Sequence, residues 1–125
     1  MNVVDSSAWI EYFTDGPNAS FFQPTIRDSQ HLIVPSICLY EVFRHGLAHR
    51  TRELAIEFYK AMSLGTIVEL TPEIALAAAE LAHEHKLAMA DSIILATARE
   101  YDATLWTQDV DFEGLDKVKF RAKQK

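Results

Sequence analysis

A single cysteine in 125 residues leaves no partner for an internal disulfide. Cys38 stands between Ile37 and Leu39, so its thiol reads as a small buried hydrophobe in a reducing compartment. Only four glycines and four prolines are present, and no linker, internal repeat or low-complexity tract interrupts the chain. With 49% hydrophobic residues there is enough apolar material for one core and too little for two, so one domain spanning residues 1–125 is expected. No stretch approaches the ~20 uninterrupted apolar residues of a membrane helix, and no basic residue precedes an apolar N-terminal segment. The expectation is a cytoplasmic protein with no membrane partner. Gly-x-Ser-x-Gly, a Walker loop and a Gly-x-Gly-x-x-Gly turn after the first strand are also missing, so serine-nucleophile, nucleoside-triphosphate and dinucleotide chemistry lack their usual marks.

What is present alternates. Met1–Val4, His31–Val34, Thr66–Leu70, Leu105–Trp106 and Val118–Phe120 read as short strands rich in apolar and β-branched residues. Between them lie helical patterns. Ser6 or Ser7 caps a helix carrying Trp9, Ile10 and Phe13, and Asp15-Gly16-Pro17-Asn18 closes it with turn chemistry. Further helices are expected over Ala19–Asp28, after Pro35-Ser36, over Thr51–Ser63, from Ile74 to His85 and from Ala90 to Arg99. Thr71-Pro72-Glu73 is a strong helix start, because Thr71 can cap and Pro72 fits the first helical position. An alanine face on the following helix, Ala75, Ala78, Ala79 and Ala82, permits close approach of a neighbour. This alternation predicts an α/β fold with a mostly parallel central sheet flanked by helices on both faces.

Four acids stand against apolar stretches where a solvated charge is normally avoided. Asp5 ends the first strand, Asp109 follows the Leu105–Trp106 strand, and Glu41 and Asp91 lie inside helical patterns. In a parallel sheet the strand ends bring Asp5 and Asp109 to one edge, where open α/β sheets place their ligands. Carboxylates crowded together raise one another's pKa, and the usual remedy is a divalent cation held by oxygen. Carboxylates that hold Mg2+ or Mn2+ and leave coordination positions open meet the need of phosphodiester cleavage, with a metal-activated water as nucleophile. Asp91, three and four residues before Ile94 and Leu95, faces inward and is also placed for a cap or dipole role at its helix start.

Four segments together resemble the PIN domain, specifically VapC-type toxins. They are Val3-Val4-Asp5-Ser6-Ser7, Pro35-Ser36 with Glu41, Ala90-Asp91-Ser92-Ile93-Ile94, and Leu105-Trp106-Thr107-Gln108-Asp109-Val110-Asp111-Phe112. The resemblance implies that Asp5, Glu41, Asp91 and Asp109 are the catalytic, metal-binding acids, and that Thr107 or Ser7 steadies them through hydroxyl hydrogen bonds. It implies an Mg2+- or Mn2+-dependent endoribonuclease, the toxin of a type II toxin–antitoxin pair, dimeric and silenced by a VapB-type antitoxin. Asp111 is a fifth acid; strand alternation puts it on the same side as Asp109, whose place in the motif is the better match, and both can approach the metal.

Charge bears on the partner. The net charge of -6 argues against nucleic acid, but bound cations neutralise the four acids, and five of the 12 bases lie in the last nine residues (Lys117, Lys119, Arg121, Lys123, Lys125). That tail reads either as a solvated end or as a phosphate contact. Arg44, His45, His49, Arg50 and Arg52 follow Glu41, and Arg44, Arg50 and Arg52 are candidates to line an RNA groove, against the equally simple reading of a solvated helix end. His83 and His85 point about 200° apart on a helix and read as surface residues. Trp9, Tyr12, Phe13, Phe21 and Phe22 read as core and interface rather than as a base-stacking platform. Two other classes compete with the nuclease: a receiver-like, Mg2+-binding signalling domain, which wants paired acids after the first strand and a lysine after the fifth, and a non-catalytic PIN-like module that docks a basic partner.

Overall fold

In the computed structural model, which describes residues 1–124, the apolar runs form five short strands: β1 (Asn2–Val4), β2 (Leu32–Pro35), β3 (Thr66–Val68), β4 (Thr104–Thr107) and β5 (Val118–Phe120). Lys125 of the basic tail lies outside the described residues. Six helices connect or flank them: α1 (Ser6–Phe13), α2 (Ala19–Arg27), α3 (Ser36–His49), α4 (Arg52–Met62), α5 (Pro72–His85) and α6 (Met89–Glu100). A 3-10 turn, Val110–Phe112, follows β4.

All strand pairs are parallel, and the strand order is β3-β2-β1-β4-β5. The chain builds outward from β1 to β3, then returns to the other side of β1 to add β4 and β5. The connections therefore diverge between β1 and β4, which opens a crevice above the C-terminal ends of those two strands. This order differs from the 2-1-3-4-5 order of receiver-like domains, so that alternative is set aside. Val3 and Val4 are adjacent in sequence and point to opposite faces, yet both are fully buried. Helices therefore cover both faces of the sheet, as expected for a parallel arrangement.

Local chemistry explains most element ends. Thr71 accepts a hydrogen bond from the Ile74 N–H at 3.2 Å, and Pro72 opens α5 as foreseen. Thr51 caps α4 in the same way at 3.1 Å from the Leu54 N–H. Two expectations are corrected. The third strand stops at Val68, because Glu69 and Leu70 are exposed where the chain turns out toward the Thr71 cap. The buried face of α5 is Ile74, Ala78 and Leu81; of the expected alanine face Ala78 is buried and Ala82 half-buried, while Ala75 and Ala79 are exposed, and the helix packs on α6. The aromatic set lies in or against the core: Trp9 and Phe22 are buried, and Phe13 stacks on Phe58 with ring centroids 4.4 Å apart. His83 is exposed and His85 half-buried. No helix of the described residues is long and apolar enough to cross a membrane.

Candidate metal centre

Asp5 is the residue at which β1 becomes α1, and its side chain, not Ser6 or Ser7, caps the helix. One carboxylate oxygen accepts from the Ala8 N–H at 2.9 Å and the Ser7 hydroxyl at 3.0 Å; the other accepts from the Thr107 hydroxyl at 2.5 Å. The same Thr107 oxygen accepts the Asp109 N–H at 2.9 Å. A single buried hydroxyl thus ties the acid at the end of β1 to the backbone of the acid beyond β4. Both Ser7 and Thr107 contact Asp5, where the sequence leaves the choice open.

Glu41 lies about one turn into α3, and its Oε1 accepts from the Ser6 hydroxyl at 2.6 Å. Sequence reasoning assigns Ser6 only a capping role and misses this bond. Its one visible signal is its place directly after Asp5 in a serine pair; the partner is 35 residues away and no local pattern points to it. Asp91 sits in the first turn of α6, whose cap position is Ala88 and has no side-chain cap bond. Asp91 is therefore not the cap, and it is half-buried with no side-chain hydrogen bond among the described residues. Its carboxylate oxygens are left to the crevice.

Asp5, Glu41, Asp91 and Asp109 line one cleft of about 560 Å³. Oxygens of Asp91 and Asp109 in its lining and of Asp111, exposed beside it, all lie within 4.8 Å of one another. Asp109 and Asp111 do converge, but for a different reason from strand alternation. The strand ends at Thr107, and Asp109 caps the 3-10 turn by accepting the Asp111 N–H at 2.9 Å, which folds the two carboxylates back together. Of the three arginines considered, Arg44 lines the cleft with His45 and His49, whereas Arg50 and Arg52 are exposed residues outside its lining.

The electrostatics are those of an acid cluster whose carboxylates form no ion pair among the described residues; the four pairs that form lie elsewhere. Burial raises the Asp5 carboxyl to about 6 in spite of its three hydrogen-bond donors, and Asp109 adds to the rise. Burial, then the charges of Asp109, Asp5, Glu41 and Asp111, raise Asp91 to about 7. Hard oxygen donors crowded in one cleft, two of them, Asp5 and Asp91, held above the usual carboxylate range, fit a divalent ion of the Mg2+, Mn2+ or Ca2+ kind. Cys38, beneath the site, has its thiol pushed up by burial and is inert.

A family model described as PIN domain matches residues 3–118. No curated protein sequence matches the chain. Among solved structures, a toxin–antitoxin complex from Klebsiella pneumoniae has a chain 25% identical, with a TM-score of 0.81 over 95% of this chain and 96% of that one. VapC20 of Mycobacterium tuberculosis, described as a sarcin–ricin-loop-cleaving toxin, is 16% identical with a TM-score of 0.76, over 94% and 98% of the two chains. A DNA-bound VapBC from Salmonella typhimurium is 16% identical with a TM-score of 0.73, over 98% of each chain. The last two likenesses are of fold.

Proposed function

The chain belongs to the PIN domain family, and on that premise we propose that it is a metal-dependent endoribonuclease, the VapC-type toxin of a toxin–antitoxin pair. The observation that carries the reading is the convergence of Asp91, Asp109 and Asp111 oxygens beside Asp5 and Glu41, with no ion pair to any of these carboxylates among the described residues. Asp5, Glu41, Asp91 and Asp109 are the residues that would hold Mg2+ or Mn2+, with Asp111 close enough to take part. When bound, such a cation lowers the pKa of coordinated water and offsets negative charge accumulating at phosphorus.

The chain's own residues supply position. Thr107 holds the Asp5 oxygen and the Asp109 backbone in one register, and Ser6 holds Glu41, so three acids keep their spacing with no ligand between them. Asp91, whose carboxylate accepts no hydrogen bond among the described residues, would turn its oxygens to the cation. The rest of the reading follows the family resemblance: a cytoplasmic homodimer, silenced by a VapB-type antitoxin whose basic side chains would satisfy the same carboxylates. The Klebsiella pneumoniae toxin–antitoxin complex supports the antitoxin partner.

The test is incubation of partner-free protein with single-stranded and structured RNA in Mg2+, Mn2+ or EDTA, beside Asp5→Ala and Asp91→Asn. The reading requires cleavage that needs metal and disappears in both variants. Tight metal binding with no cleavage of any RNA would leave a docking module instead.

A further inference from the structure

Members of two basic groups from opposite parts of the chain, which the sequence leaves as either solvated ends or phosphate contacts, meet on one flank of the cleft. On α3, Arg44, His45 and His49 line the cleft itself, and the His45 and His49 rings lie 4.4 Å apart. A second recess shares Ser7, Ile10 and His45 with it and is completed by Lys123 together with Thr14, Gln108 and Glu11, whose carboxylate is taken up by the Asn18 N–H. We propose that Arg44, His45, His49 and Lys123 form a phosphate subsite for the RNA backbone next to the bond that is cut. The inference rests on the nuclease reading and adds the place at which the substrate strand is gripped.

The position of Lys123 is built. The Arg121 N–H donates to the Thr107 carbonyl at 3.1 Å, continuing the β4 edge. Asn18, 1% exposed, donates through Nδ2 to the Ala122 carbonyl at 3.0 Å and accepts from the Gln124 amide at 3.1 Å. Asn18 is anchored in turn by its own N–H, which donates to the buried Glu11 carboxylate at 2.7 Å. The Arg121 guanidinium lies 4.6 Å from the centre of the Phe21 ring. Together these interactions hold flat a segment that would otherwise fray.

The charges held there are unspent. None of the four basic residues pairs with a carboxylate among the described residues, although acids line the same cleft. They also crowd one another: burial first, then His49, Arg50 and Lys123, disfavour the charged form of His45. An external anion relieves that crowding. A phosphate fits, because Arg44 offers a planar fork, Lys123 a point charge and the imidazoles N–H donors. It also resolves the charge problem, since a chain of net charge -6 attracts a polyanion only where cations are gathered.

The experiment is single-turnover RNA cleavage against protein concentration for wild type, Lys123→Gln and Arg44→Gln, with Mn2+ affinity measured by electron paramagnetic resonance. Lys60→Gln, on the exposed face of α4, is the charge-matched control. Arg44 and Lys123 are exposed, so their variants keep the fold. Lys123→Gln and Arg44→Gln should each raise the half-saturating concentration about tenfold, with the maximal rate within about twofold and Mn2+ affinity unchanged. The salt slope of binding should become shallower by about 0.7 for each cation removed. Unchanged half-saturation in both variants overturns the subsite while the nuclease reading stands. Wild-type protein that cuts no RNA at any Mg2+ concentration overturns the nuclease reading, and this one with it. Variants that lose affinity for poly-glutamate but not for RNA would assign the cations to an acidic polypeptide instead.

Discussion

Thr107 carries more of the site than its size suggests. Fully buried, it donates to Asp5 and accepts from the Asp109 N–H, so replacing its hydroxyl by a methyl removes both bonds and leaves a backbone donor unpaired. Thr107→Val keeps the volume and should still fold, while divalent-cation affinity falls about 10- to 100-fold, as read by calorimetric titration. An affinity equal to wild type would show that Asp5 needs no such tether. Ser6→Ala is the parallel case for Glu41. Asp91 differs from both: with no bond to lose, Asp91→Asn should leave thermal stability in EDTA unchanged or higher and abolish the metal-dependent gain.

At the scale of elements, α6 presents Asp91 because its next turn is buried. Ile94 is 1% exposed, and Ile94→Ala should cost about 2–5 kcal/mol in chemical denaturation, with weakened metal binding as the helix start loosens. The turn between α1 and α2 is the other pivot. A Cβ on Gly16 would lie 2.4 Å from the Glu11 carboxylate carbon, and that carboxylate cannot step aside without releasing Asn18. Gly16→Ala should therefore cost about 1–3 kcal/mol and free the C-terminal segment, visible as faster amide exchange at Arg121. Elements such as these are legible where the signal is local: the Thr71-Pro72 start, the periodicity of α3 that turns Tyr40, Glu41, Arg44 and Ala48 to one side, and the apolar run of each strand. The bonds from Ser6 to Glu41 and from Asn18 to the tail are not, because they span 35 and more than 100 residues and depend on how helices seat on the sheet. The convergence of Asp109 and Asp111 follows from a geometry other than the strand alternation the sequence suggests, since a 3-10 turn leaves no period-two pattern.

For the whole molecule, the strand order gathers the acids. Because β1 and β4 are neighbours whose connections diverge, Asp5 and Asp109 reach one crevice, and α3 and α6 contribute their acids from its walls. Their crowding makes stability depend on pH in a defined direction. With Asp5 raised to about 6 and Asp91 to about 7, the folded metal-free chain holds protons that the unfolded chain has released, so stability falls as pH rises from about 4 to about 7. Thermal denaturation in EDTA should show a lower Tm at pH 7.5 than at pH 5 from this site. Saturating Mg2+ should raise Tm more at pH 7.5, where fewer protons compete for the carboxylates. A stabilisation by Mg2+ that is equal at the two pH values would contradict that linkage.

The most direct test of a metal-holding acidic cleft is anomalous diffraction from crystals of the protein grown with Mn2+. Manganese is expected in the cleft, bound by carboxylates of Asp5, Asp91 and Asp109 or their neighbours Glu41 and Asp111. An ordered cleft without manganese, in crystals whose protein cleaves RNA under the same conditions, would contradict it.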